Sequence, residues 1–177
     1  MSGLSDDRGL PHAHIILIVR PEDRPDTPEK LDRLIYAEIP DPAKDPALYQ
    51  AVVKHMLHGP HNGKMLCEQD GYNEDNTCNK HFPKAFKNTT EIVPGEYAIL
   101  RRRRTGRTVV KNNALLDNRW VVPYNPDLMV FDCHCNVEYV NSLNSMKYLF
   151  KYLVKEEVRH NNMVVVIFHS LNRFIRN

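Results

Sequence analysis

The chain has no run of about 18 apolar residues, so no segment reads as a membrane-spanning helix. Its opening stretch, Met1 to Leu10, is polar and acidic and contains no apolar signal-peptide core. With no secretory signal, four cysteines beside nine histidines favour free thiols or metal ligands over disulfides. No internal repeat occurs. No Walker-type glycine-rich loop is present to cradle a nucleoside triphosphate. A formal net charge of only +2 rules out a general polycation. What remains is a chain of 177 residues, 42% hydrophobic and 26% charged, long enough for one domain with a real core.

The modest charge is unevenly spread. Arg101, Arg102, Arg103 and Arg104, followed by Arg107 and Lys111, form a dense basic patch. Such a patch suits a phosphate backbone; a solvated loop or a nuclear import signal is the bland alternative.

Local patterns divide the chain. Ile15 to Val19 is a short β-branched run that predicts a buried strand. Arg20 to Pro28 holds three prolines among charges and reads as a loop. Asp45 is a good N-cap with Pro46 at the first helical position. Leu48, Val52, Val53 and Met56 then keep helical spacing until Gly59-Pro60. Residues 61–90 read as a loop-rich Cys/His insertion. Short strands are expected at Tyr97 to Leu100, Thr108 to Val110 and Trp120 to Val122. Phe131 to Val140 alternates: Asp132, His134, Asn136 and Glu138 take one face, and Phe131, Cys133, Cys135, Val137 and Tyr139 the other. A helix is expected from Ser142 to Lys155, with Leu143, Met146, Phe150 and Leu153 on one stripe. Met163 to Phe168 is an apolar run with no evident partner, and residues 161–177 read as a tail of uncertain origin.

Two motifs carry chemistry. His12 and His14 are i and i+2 on a strand, so they share a face and can share one divalent metal. Tyr148 and Tyr152 are one helical turn apart, opposite the apolar stripe. Tyrosine is a weak nucleophile at its free pKa of about 10, so it needs a metal or cation at the phosphate. Lys151 or Lys155 could steady the developing charge. Either motif alone is commonplace, as a chance His pair or as two amphipathic surface tyrosines.

Together and in order, the motifs are more specific. Gly9-Leu10-Pro11-His12-Ala13-His14-Ile15 is followed by Ala37-Glu38-Ile39-Pro40-Asp41-Pro42 and by His55-Met56-Leu57-His58-Gly59-Pro60. Lys80-His81-Phe82-Pro83-Lys84 comes next, then Leu116 through Asn125, Asn136-Val137-Glu138, and Lys147-Tyr148-Leu149-Phe150-Lys151-Tyr152. From Arg8 to Lys155 the chain resembles the Rep nuclease domain of Helitron transposases, also called the Helitron helicase-like domain. That domain belongs to the two-tyrosine nucleases with a His-hydrophobic-His signature. The resemblance implies an α+β fold in which helices flank a central antiparallel sheet, with residues 1–160 forming a partial nuclease domain. It implies cleavage of single-stranded DNA by tyrosine, a 5′-phosphotyrosine, a free 3′-hydroxyl and a nuclear setting.

By that resemblance His12 and His14 are ligands for Mn²⁺ or Mg²⁺, and Tyr148 and Tyr152 are nucleophiles. Leu4, Ser5 and Asp6 stand where relatives have Glu-Phe-Gln, a region that supplies a third ligand in related nucleases. Asp6, His134 and Glu138 are the substitutes. Relatives also carry sequence upstream and a helicase downstream, so the chain reads as a truncated copy with impaired cleavage. Relatives place three cysteines in the insertion; here His58, His61, Cys67 and Cys78 are the corresponding structural-zinc candidates. Two other readings stay open. One is an inactive remnant that binds single-stranded DNA through the arginines and by stacking on Trp120 or Tyr124. The other is a zinc-stabilised interaction module.

Overall fold

A computed structural model describes residues 12–59, 78, 80–94, 96–140 and 163–169. The expected helix from Ser142 to Lys155, with Tyr148, Lys151 and Tyr152, lies outside these residues, as do Asp6, His61 and Cys67. The described architecture is mixed α+β. It comprises strands β1 (His12–Ile18), β2 (Val109–Lys111), β3 (Ala114–Leu116), β4 (His134–Val140) and β5 (Met163–His169), with helices α1 (Pro28–Leu34) and α2 (Pro46–His55).

The larger sheet has the order β1-β5-β4, and both pairings are antiparallel. The apolar run read as an unpartnered tail is therefore its central strand. All three strands are seven residues long and pair one-to-one across seven rows. Such a run suits a strand with a neighbour on each side, where β-branched residues pack well. Two strands that each carry candidate ligands, as β1 and β4 do, would hold one ion most simply as neighbours. Instead β5 separates them, and at about 4.8 Å per strand their backbones are about 10 Å apart.

The predicted alternation of β4 holds from Cys133 onward. Cys133, Cys135, Val137 and Tyr139 are buried, whereas His134, Asn136 and Glu138 are only partly so. It fails at the start, because Asp127–Phe131 forms a 3₁₀ turn that ends in a left-handed Asp132 (φ 48°). The buried face packs on Leu31 and Ile35 of α1 and its C-cap, with Ile92, Ala98 and Leu100 alongside. Arg20 to Pro28 was read only as a loop, but it ends in the cap of α1. The Thr27 hydroxyl accepts from Lys30 N, and Pro28 opens the helix.

The α2 cap follows expectation, with Asp45 Oδ1 accepting from Leu48 N at 2.9 Å. The helix nevertheless ends at His55, before Gly59-Pro60. Extended pairing takes over there: Leu57 bridges Val121, and Val122 N donates to Met56 O. Val52 and Met56 join Val121, Tyr124 and Leu116 in a second core. Val109–Lys111 is a strand as expected and pairs with β3 across Asn112-Asn113, both at positive φ (50° and 61°). Two left-handed central residues define a type I′ hairpin, a role Asn tolerates well. The strand expected at Trp120 to Val122 is instead a 3₁₀ turn (Asn118–Trp120) followed by isolated bridges.

Candidate metal face and arginine cluster

Register defines the candidate metal face. His12 and His134 both pair with His169, so the three share one row of the sheet. His14 and Asn136 share the row of Ile167, and Glu138 shares a row with Ile16. Directly paired residues and those two apart fall on the same face. By register, positions 12, 14, 134, 136 and 138 therefore fall on one side of the sheet, opposite the positions of the buried cysteines. Of the three candidate third ligands, His134 is level with His12, Glu138 lies two rows beyond His14, and Asp6 is outside the described residues.

His134 is prepared to ligate. Its Nδ1 lies 2.7 Å from the backbone oxygen of His55. Donation to that carbonyl assigns the proton to Nδ1, the orientation that backbone carbonyls impose on many metal-bound histidines. Burial lowers its pKa below the ordinary 6.5; the hydrogen bond to the His55 carbonyl opposes this, and the charges of His55 and Lys111 add to it, so the neutral ring is favoured at pH 7. Below pH 6.5 the unfolded chain takes up this proton first, so the burial costs stability as pH falls.

Asn136 lies on the polar face that the alternation predicts, although it was not among the candidate ligands. Its Nδ2 donates to Glu138 Oε1 at 3.0 Å, but its Oδ1 is buried without a hydrogen-bond donor among the described residues. A buried acceptor without a donor is costly, and a cation would satisfy it. Nearby, Asp132 accepts from Lys54 (2.7 Å) and from His55 Nε2 (2.9 Å). Lys54 first, then His55, hold its pKa down to about 2. The stabilisation is complete above the ordinary 3.8 and is lost as pH falls through about 2.

The insertion contributes one close pair. His58 Nε2 and Cys78 Sγ lie 3.3 Å apart, although 20 residues separate them. The His58 ring stacks on Phe82 at 4.2 Å, and Lys84 Nζ sits 5.1 Å from the centre of the same ring. Burial lowers the Lys84 pKa, as does Arg102, while Glu138 and Cys78 pull it up. Lys84 thus lies within electrostatic reach of both the Cys78 pair and the Glu138 end of the metal face. Among the described residues no group of three metal-binding side chains converges, and none of their helices is long and apolar enough to cross a membrane.

The arginine run is not one open patch. Arg102 is buried, and its Nη1 donates to Val121 O (2.6 Å), Asn118 O (2.8 Å) and Ala37 O (3.5 Å). Burial lowers its pKa to about 10. Arg102 is an internal brace rather than a phosphate contact. Arg103 makes a bidentate pair with Glu38 (2.9 and 2.7 Å). Arg101 pairs with Asp32 at 2.8 Å, and Arg107 with Asp41 at 2.9 Å. Arg104 differs: it is exposed, and its guanidinium carbon sits 4.6 Å from the centre of the Phe86 ring. Tyr124, considered as a stacking platform, is fully buried and its hydroxyl donates to Glu38 O. Trp120 packs against the second core.

No protein-family model matches the chain, and no curated protein matches it.

Proposed function

We propose that the chain is a metal-dependent single-stranded DNA nuclease and strand transferase of the Helitron Rep type, built on the His-hydrophobic-His sheet of that class. What carries the reading is the composition of one sheet face. The positions that share it by register are His12, His14, His134 and Asn136, and the Asn136 oxygen lacks a donor among the described residues. Imidazole nitrogen with amide or carboxylate oxygen fits a first-row divalent cation. Bound there, the cation polarises a DNA phosphodiester and lowers the demand on a weak nucleophile.

The chain's own groups do the rest. The phenolic oxygen of Tyr148 or Tyr152 bonds to phosphorus, and the P–O3′ bond breaks. The 3′-oxygen takes a proton, and the protein keeps the 5′ end as a phosphotyrosine. A second tyrosine allows a second transfer. Lys151 offsets charge at the phosphate, and Lys84 brings a cation to the Glu138 side. The candidate ligands are spread across a sheet in which β5 separates β1 from β4, and a misplacement of about 1 Å costs about 100-fold in rate, so turnover is slow.

A mixed imidazole and oxygen site prefers Mn²⁺ to Mg²⁺. In calorimetry Mn²⁺ should bind at least tenfold more tightly than Mg²⁺, and His12→Ala with His14→Ala should abolish the Mn²⁺ heat. Single-strand cleavage should follow the same order. Equal Mg²⁺ binding, or Mn²⁺ binding indifferent to both histidines, contradicts the assignment.

The close His58–Cys78 pair favours a second, structural role for the insertion. Bonds of about 2.1 Å to nitrogen and 2.3 Å to sulfur set tetrahedral ligands about 3.5 Å apart, near the observed 3.3 Å. We propose zinc held by His58 and Cys78 with His61 and Cys67. The purified protein should retain one zinc per chain after dialysis and lose it on Cys78→Ser. Wild-type protein free of zinc after purification in zinc-supplemented buffer would refute this.

A further inference from the structure

Beside the arginine run, Phe86, Arg104, Gly106, Arg107, Thr108 and Arg119 help to line a concave site of about 160 Å³. Its charges do not cancel. Arg103 is matched by Glu38, Arg107 by Asp41 and Arg119 by Asp117, a carboxylate that itself lines the site and also feels Arg104, which leaves four arginines against three acids. Arg104 forms no ion pair or hydrogen bond with a described residue, so its charge is in excess. The paired arginines retain donors as well. Arg119 gives Nε and Nη2 to Asp117 and leaves Nη1 over, and Arg103 likewise uses only Nε and Nη2 on Glu38.

The Phe86 ring anchors the charges. Arg104 lies 4.6 Å and Arg119 4.9 Å from its centre. Stacking on an aromatic face fixes a planar guanidinium and so reduces the entropy lost when it binds an anion. Gly106 sits at φ +77°, and a Cβ built there meets nothing within 4 Å. The backbone is therefore open to close approach. The volume is below the roughly 300–1,000 Å³ of sites that engulf a drug-sized molecule. It suits one group of a longer chain.

We propose that this pocket binds one backbone phosphate of a single-stranded polynucleotide, with Arg104 as the principal contact and Phe86 as its support. The proposal rests on and deepens the single-strand DNA reading above, with a phosphate contact whose lining residues are none of those on the candidate metal face. Arg102, the residue at the centre of the run, takes no part. Arg104 supplies the charge, and the unused Nη1 atoms of Arg103 and Arg119 supply further donors.

The test is fluorescence anisotropy of a labelled oligo-dT with the full chain in EDTA, across a salt series. Arg104→Gln should weaken binding about tenfold and reduce the log–log salt slope by about 0.7, the value of one single-strand phosphate contact. Arg104→Lys should restore the slope. Phe86→Leu should weaken binding with the slope kept. Lys30→Gln removes an equal charge from α1 and should change neither quantity. Thermal melts confirm that each variant is folded. An unchanged slope in Arg104→Gln, or an equal loss in Lys30→Gln, overturns the proposal. Displacement of the oligonucleotide by an equal concentration of inorganic phosphate also overturns it, since the occupant would then be a free anion.

The His12→Ala, His14→Ala variant separates the two readings. It should bind oligo-dT as the wild type does while losing metal-dependent cleavage. Normal cleavage with normal binding in Arg104→Gln would sink the pocket and leave the nuclease standing.

Discussion

Replacing Arg102 with alanine should destabilise the protein by about 3–5 kcal/mol, the largest effect expected of any single surface-run arginine. Its guanidinium satisfies the Val121 and Asn118 carbonyls at 2.6 and 2.8 Å and reaches Ala37. Each buried acceptor left without a donor costs about 1–3 kcal/mol, and the vacated volume adds a cavity term. These carbonyls belong to two segments, the 118–121 turn and the stretch at Ala37, which Arg102 ties to its own segment beside the core around Val121 and Ile39. Asn118 strengthens the junction, since its Oδ1 accepts from Ile39 N and its Nδ2 donates to Arg103 O. For a chain of this size the loss corresponds to a fall of roughly 10 °C in the melting midpoint. Arg104→Ala should shift the midpoint by less than about 2 °C, because an exposed residue of this kind contributes within about 0.5 kcal/mol. Differential scanning calorimetry of the two variants decides the matter. Equal midpoints would show that Arg102 is not a brace.

The contrast between Arg102 and Arg104 marks where the sequence ceases to inform. Four consecutive arginines look alike to a charge count. On an extended segment, however, alternate residues face opposite sides. Arg101 and Arg103 both approach Glu38, at 3.9 and 2.7 Å, while Arg102 turns inward. The Glu38 and Asp41 that neutralise Arg103 and Arg107 lie more than 60 residues away in sequence, beyond any local pattern.

Signals confined to a few residues were legible. The Asp45-Pro46 cap and the alternation from Cys133 to Tyr139 both follow from side-chain chemistry at fixed spacing. The i, i+2 placement of His12 and His14 on one strand holds for the same reason. Two short-range signals were present but passed over. Thr27-Pro28 caps α1, whose seven residues are too few to show a clear period. Asn112-Asn113 between Val109-Val110-Lys111 and Ala114-Leu115-Leu116 marks the β2–β3 hairpin.

Long-range pairing was not legible. Met163 to Phe168 reads as a strand by composition, but nothing in it says that its partners are β1 and β4. That pairing depends on matched lengths and on apolar faces that only folding brings together. The same holds for the metal face. His134 was a candidate by alternation, but its tautomer depends on the His55 carbonyl, and the Asn136 oxygen depends on burial.

The second large effect concerns the tyrosines. Tyr148→Phe with Tyr152→Phe should abolish covalent attachment to DNA altogether, because a phenyl ring has no oxygen to bond to phosphorus. Either single variant should keep one attachment and lose the second transfer. A fold requirement would appear as a lowered melting midpoint, and none is expected from removing two hydroxyls on the helix face opposite the predicted apolar stripe. Loss of His12 and His14 should suppress attachment by at least 100-fold with both tyrosines intact.

The most direct measurement is the chemical identity of the protein–DNA bond. The protein is incubated with a single-stranded oligonucleotide and Mn²⁺ and denatured. The DNA is then digested, and the tryptic peptides are mapped by mass spectrometry. The account predicts a nucleotide linked through its 5′-phosphate to Tyr148 or Tyr152, absent in EDTA and absent in the double phenylalanine variant. A linkage to any other residue, or one that persists without metal or without both tyrosines, would contradict it, and so would the lack of any adduct in metal-loaded protein.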